Sequence, residues 1–230
     1  MIAKACLRLA ARVLETYLRA TSKTLRLRIF LEDGAVLIPA GRSLNAIVPE
    51  SSPTLLPFWN AHSLLLISSY LSSPQMVQVA SRLEAVADDS PGGLLSEILF
   101  SRIGITTRRL RFRSIEDRLE DLQLLLKAKP SLLMAADSHG PYRSISPGMA
   151  RLARNYMGSV KPISLTCDRS IPIFRRIRMA VPRRNATICL AIGRPLDERR
   201  SVGDTRVALD ACLVKLESQS RILLQQGPTG

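Results

Sequence analysis

His62 and His139 are the only histidines in the 230 residues, so any imidazole base must be one of them. His62 sits in "WNAHS" (59–63), a polar island directly after an apolar, strand-like entry. Its plainest alternative is a satisfied histidine at a helix start. His139 lies in "DSHGPYR" (137–143), where an apolar run from Ser131 to Ala136 lets go. There a carboxylate, an imidazole and a guanidinium, Asp137, His139 and Arg143, fall within one Gly/Pro-containing turn. A carboxylate at such a strand end can anchor the loop by accepting the backbone amides of the turn that follows. The Gly140-Pro141 turn would then aim Arg143 into a pocket, and Pro147-Gly148 would open the next helix.

Two basic clusters could hold an anion. In "RRLRFR" (108–113) a strand would put Arg109, Arg111 and Arg113 on one face. The N-terminus of the following helix would add backbone donors. Solvated edge-strand positions are the alternative. "RRIRMAVPRR" (175–184) is interleaved with Ile and Met rather than aromatics, which suits a membrane surface better than bases. Other chemistry has no support. GxxxxGK[ST], GxGxxG and GxSxG are all missing, and no His/Cys/Asp set has metal-ligand spacing. Cys6, Cys167, Cys189 and Cys212 are scattered without a CxxC pair, which fits a reducing cytoplasm better than a disulfide framework.

The elements that must position these residues can be read from periodicity. Residues 1–20 are helical in pattern, with Lys4, Arg8, Arg12 and Arg19 on one stripe and Ile2, Cys6, Leu9, Val13 and Tyr17 opposite. That is a basic amphipathic helix of the kind that lies on anionic membranes, unless its apolar face packs on the domain. Strands are expected at 24–32, 35–38, 76–81, 105–111, 131–136, 162–167 and 186–192. Helices are expected at 92–104, at 114–128 with Ser114 as N-cap, at 147–158 and from about Asp204 to Leu224. Residues 168–185 read as a basic loop. The alternation gives an α/β fold, a mostly parallel mixed sheet with helices on both faces, plus an N-terminal amphipathic helix. The organisation expected is a helix at 1–22, a domain at 23–224 and a tail at 225–230.

Composition limits the partners. The formal charge of +14 implies an anionic one: nucleic acid, lipid headgroups or a phosphorylated substrate. Aromatics at 4% weaken the nucleic-acid reading, because single-strand binding wants stacking platforms. No apolar run reaches the length of a spanning helix.

Residues 56–196 resemble the lysophospholipid acyltransferase-like superfamily, and most closely an uncharacterised bacterial branch distantly akin to lipid A acyltransferases. "WNAHSLLL" approximates that branch's Trp-His-Gly-Arg block followed by leucines, and "SRLEAVADDSPGGLLSEILFSRIG" its Ser-x-x-x-Asp-Gly-Glu block and helix. "RFRS" echoes an Arg-Gly-Ser-Ser block. "DSHGPYRSISPGMARLA" echoes Asp-Gly-Pro-Arg-Gly-Pro followed by Lys-Pro-Gly, and "VKPIS" and "AIGRPLD" close the series. The superfamily's usual acidic residue, five positions after the histidine, is Ile67 here.

The resemblance implies a fatty acyl group moving from a thioester to a hydroxyl of a lysophospholipid-like or other lipid acceptor, at a membrane surface. It implies His62 as the base, ahead of His139, with Asp88 or Asp89 as its carboxylate. Asn60, Arg111, Arg113, Asp137, His139, Gly140 and Arg143 would bind substrate. No cofactor is implied beyond the donor, acyl-CoA or acyl carrier protein. The expected partners are an anionic membrane, a lipid acceptor and the donor, met peripherally on the cytoplasmic side of the inner membrane. A degenerate member that binds anionic lipid or a partner without transfer is the alternative, and a basic nucleic-acid-binding protein a third.

Overall fold

Apolar strands buried on both faces dictate the centre of the molecule. The computed structural model describes residues 2–33, 36–38, 47–49, 52–87, 91–110, 124–125, 131–137, 143–173, 178–197 and 201–226. Among them, five parallel strands form one sheet. Its strands are β3 (Thr54–Phe58), β4 (Glu84–Ala87), β5 (Thr106–Arg109), β6 (Leu132–Ala135) and β7 (Ser159–Val160), in the order β5-β4-β6-β3-β7. Alternate residues of β3 enter different cores: Leu56 and Phe58 join one apolar cluster and Leu55 the other. Helices cover each face, as a parallel sheet requires. On the first lie α2 (Ser63–Ser72), α3 (Pro74–Ala80) and α4 (Pro91–Arg102); on the second lie α5 (Pro147–Asn155) and α6 (Val202–Gln225).

A second sheet is mixed. β1 (Arg26–Leu31) pairs antiparallel with β2 (Val36–Ile38) and parallel with β11 (Thr187–Ile192), and β8 (Ile163–Cys167) closes the far edge antiparallel to β11. The single sheet expected from sequence is therefore divided. The division falls inside "VKPIS": Val160 ends β7, Lys161 still donates to the Leu55 carbonyl, and after Pro162 the chain pairs with β11 as β8. Gly158, just before β7, is held close against the chain, and a Cβ there would lie 2.1 Å from the carbonyl oxygen of Pro53.

Two further expectations are corrected. Residues 76–81 are not a strand: Pro74 opens α3, and Met76, Val79 and Ala80 are buried at helical spacing while Val77 is exposed. The strand lies downstream, in "EAVA". The basic stretch after β8 is not a plain loop. It holds an antiparallel hairpin of β9 (Ser170–Ile173) and β10 (Met179–Pro182). The helix expected at 114–128 lies outside the described residues apart from 124–125, which are helical.

The N-terminal helix α1 (Ile2–Ser22) packs through a different stripe from the one that sequence singled out. Ala11 and Leu18 are buried and Leu7 and Leu14 pack beside them. Leu9 and Val13 stay exposed, at 64% and 65%. No described helix is long and apolar enough to cross a membrane.

Candidate functional site

β3 and β6 are neighbours in the parallel sheet, with Phe58 opposite Ala135, so the chain leaves both strands at one place. This is the carboxyl end of the sheet, where α/β folds gather their loops. After β3, Trp59 leads into a single 3-10 turn, Asn60–His62, and His62 stands at the N-cap of α2. After β6, Asp137 is buried at 6% exposure. Its Oδ1 accepts the Asn60 N–H at 2.7 Å and its Oδ2 accepts the Arg143 N–H at 3.2 Å. One carboxylate thus pins the turn after β3 to the loop after β6. Burial pushes the Asp137 carboxyl up from its ordinary value, against the two amides and the Arg143 charge that pull it down.

Arg143 adopts a left-handed backbone, φ 58°, a conformation that L side chains seldom take. Its guanidinium donates to Glu217 Oε1 at 2.6 Å, and Arg221 donates to the same oxygen at 2.6 Å. Glu217, only 5% exposed, reaches in from the buried stripe of α6 that includes Leu209, Leu213 and Leu216. One carboxylate for two guanidiniums leaves this cluster with a positive excess.

His62 meets the cluster across a cavity of about 470 Å³ whose wall also includes Thr166, Arg178 and Asp168. Its Nδ1 accepts the N–H of Leu165 at 3.3 Å. Leu165 belongs to β8, the outer strand of the mixed sheet, so the imidazole ties the end of one sheet to the edge of the other. Burial, then the positive charges of Arg143 and Arg221, push the imidazole down to about 3, and the ring is neutral at physiological pH. The Thr166 hydroxyl is buried in the same wall and has no hydrogen-bond partner among the described residues. Cys167 also lines the cavity, but burial pushes its thiol up to about 11, which makes it a poor nucleophile.

The cavity therefore gathers His62 and Arg143, with Asp137 and Asn60 holding the turns behind them. Asp88, Asp89, Arg111, Arg113, His139 and Gly140 lie outside the described residues. Arg108 and Arg109, from the same arginine run, form ion pairs with Glu84 and Glu97. Among the described residues, no carboxylate hydrogen-bonds to the imidazole, and no group of His, Cys, Asp and Glu could hold a metal ion. Sequence reasoning missed Glu217, Arg221 and Thr166, and had Arg178 only as part of the basic cluster 175–184. The Glu217/Arg221 pair had a signal, opposite charges at i,i+4 on a helix, but that spacing more often marks a solvated face.

A second hollow, of about 640 Å³, lies across the β9–β10 hairpin from the first. Its lining is apolar, including Leu9, Val13 and Tyr17 of α1, Leu95 of α4 and Ile171 and Val181 of the hairpin.

The architecture is similar to the crystal structure of the 1-acyl-sn-glycerophosphate (LPA) acyltransferase PlsC from Thermotoga maritima, with a TM-score of 0.50 at 12% identity. The match covers 99% of this chain and 84% of that one. The fold is acyltransferase-like. No family model and no curated protein matches the sequence.

Proposed function

We propose that this chain moves an acyl group from a thioester to the hydroxyl of an anionic, lysophospholipid-like acceptor at the surface of an anionic membrane. One observation carries the reading. In an acyltransferase-like fold, an imidazole and guanidiniums from separate elements line one cavity at the carboxyl ends of neighbouring strands. The acceptor's anionic group would sit between Arg143, Arg221 and Arg178, with the Thr166 hydroxyl as a further donor. Its hydroxyl would attack the thioester carbonyl, the C–S bond would break, and the hydroxyl proton would pass to a base. Acyl-CoA or acyl carrier protein is the donor in this reading. For His62 to be that base its cavity-facing nitrogen must be free of a proton, which requires Nδ1 to release the Leu165 amide once the acyl donor has joined the bound acceptor. Asp88 or Asp89 would orient the ring in that state.

The membrane part of the proposal is supported by α1. Exposed Leu9 and Val13 stand beside exposed Arg8 and Arg12, so an apolar strip and a cationic one face outward together. We place the protein peripherally, on the cytoplasmic side of the inner membrane, as a member of the bacterial branch that its sequence blocks resemble.

A specific observation favours a second reading, in which the cavity binds an anionic lipid without transfer. The Leu165 N–H on Nδ1, with no carboxylate bonded to the ring among the described residues, fits binding with no rearrangement.

Incubation with labelled acyl thioester and a panel of lysophospholipids separates the two. The first reading expects a labelled diacyl product, abolished by His62→Ala in a folded protein and reduced through weaker acceptor binding by Arg143→Ala. Saturable lipid binding with no product leaves only the second, and product formed equally well by His62→Ala refutes the site.

A further inference from the structure

We infer that His62 meets the occupant of the cavity as a neutral hydrogen-bond donor, its proton on Nε2, a role that rests on the cavity being the ligand site proposed above. The Leu165 amide makes the assignment. β8 is the outer strand of its sheet and pairs with β11 along one side only. The Leu165 N–H has no strand to bond on the other side, and a buried main-chain N–H left unmatched is costly. It is met by His62 Nδ1 at 3.3 Å. An N–H can only be accepted by a lone pair, so Nδ1 is the bare nitrogen and Nε2 holds the proton.

The surroundings keep it there. Turning the ring over, or moving its proton to Nδ1, would set a carbon or a second N–H against the Leu165 amide. Adding a proton would place a third cation beside Arg143 and Arg221, whose shared carboxylate, Glu217, is already committed to both. Of the other titratable groups in the wall, Asp168 accepts the Thr187 N–H, the Cys167 thiol donates to the Arg169 carbonyl, and Arg178 is a further cation. None of these hydrogen bonds turns a carboxylate toward the imidazole. A ligand oxygen, from a phosphoryl group or a thioester carbonyl, would accept the Nε2–H without any proton changing owner. A neutral imidazole donor has precedent in enzymes that polarise a carbonyl this way.

Imidazole nitrogen NMR on the uniformly labelled full chain reads the tautomer directly. With only two histidines, the spectrum of His62→Asn assigns the missing signals to His62. The expected result is a pyridine-type Nδ1 and a pyrrole-type Nε2, unchanged between about pH 8 and about pH 5. On addition of a short-chain lysophosphatidic acid, the Nε2–H proton should move downfield and exchange more slowly with water, with the tautomer unaltered. A protonated Nδ1, a midpoint near the ordinary histidine value or a tautomer that flips with ligand would overturn the assignment. An Nε2–H signal indifferent to the ligand would overturn the donor role and leave a structural histidine. Failure of acyl transfer is a separate result: a silent transfer assay with this tautomer sinks catalysis and keeps the donor.

Discussion

The neutral His62 imidazole should make the fold sensitive to acid in a defined window. In the folded chain the ring resists protonation down to about 3, against an ordinary value of 6.5. Between those values the unfolded chain binds the proton and the folded chain does not. The stability supplied by the neutral ring is thus complete above the unfolded value and is lost as pH falls. From about pH 7.5 to about pH 5 the loss is about 2 kcal/mol, set by the gap of about 1.5 pH units below the unfolded midpoint. No discount for solvent screening is needed, because His62 is 4% exposed. The comparison is urea unfolding of wild type and His62→Asn at both pH values. The Asn amide oxygen takes the place of Nδ1 beneath the Leu165 amide and does not titrate. Asp137, whose carboxyl is pushed up by burial, acts in the opposite sense, since its ionised form loses stability as pH rises. It is common to both proteins and cancels. Glu15 and Glu32, held low by Arg19 and Arg102 and by the Arg194 amide and Lys215 against the burial that would raise them, lose their contribution only below 4.5. Wild type should lose about 2 kcal/mol more than His62→Asn over this range. Equal losses would show that the imidazole is not the buried, neutral group described.

Asp137→Ala should destabilise the fold by about 3 kcal/mol, because two amide donors, of Asn60 and Arg143, lose their common acceptor; urea unfolding measures it, and a loss within experimental error would contradict the pinning role. Gly158→Ala should cost about 1–3 kcal/mol through the clash with the Pro53 carbonyl, read from the thermal midpoint. The double variant Leu9→Asp/Val13→Asp should abolish sedimentation with anionic vesicles and leave the unfolding curve unchanged, since both side chains are exposed. Wild-type binding should weaken as salt is raised. Salt-independent binding, or binding that survives the double variant, would remove α1 from the membrane contact.

Local signals made much of this fold legible. β6 lies within the apolar run 131–136, α5 opens at Pro147 as expected, and the strands at 26–31, 163–167 and 187–192 fall inside expected ones. What could not be read was decided by tertiary partners. "MVQVA" suits a strand by β-branching, but Pro74 and a buried Met76/Val79/Ala80 stripe make it helical. The division into two sheets falls within "VKPIS", where the chain leaves β3 and takes up β11, a change of partner strand that no local pattern announces. Asp137 was readable as a loop anchor because a carboxylate at a strand end has few other uses. That its second amide would come from Asn60, 77 positions earlier, required knowing that β3 and β6 are neighbours. His62 was legible as a histidine at a helix start, which it is, and its side chain lines the cavity. Its bond to the Leu165 amide, across 103 residues, had no local signal.

The central claim is that an anionic lipid occupies the His62 cavity. A lysophosphatidic acid carrying a photoreactive group beside its phosphate, cross-linked to the full chain and mapped by mass spectrometry, tests it most directly. Adducts should fall on residues of the cavity wall, such as Thr166, Leu224 and Gln225, and should be lost in Arg143→Ala. Adducts confined to the second hollow, on residues such as Leu9, Val13, Ile171 and Val181, with Arg143→Ala labelled as well as wild type, would contradict it.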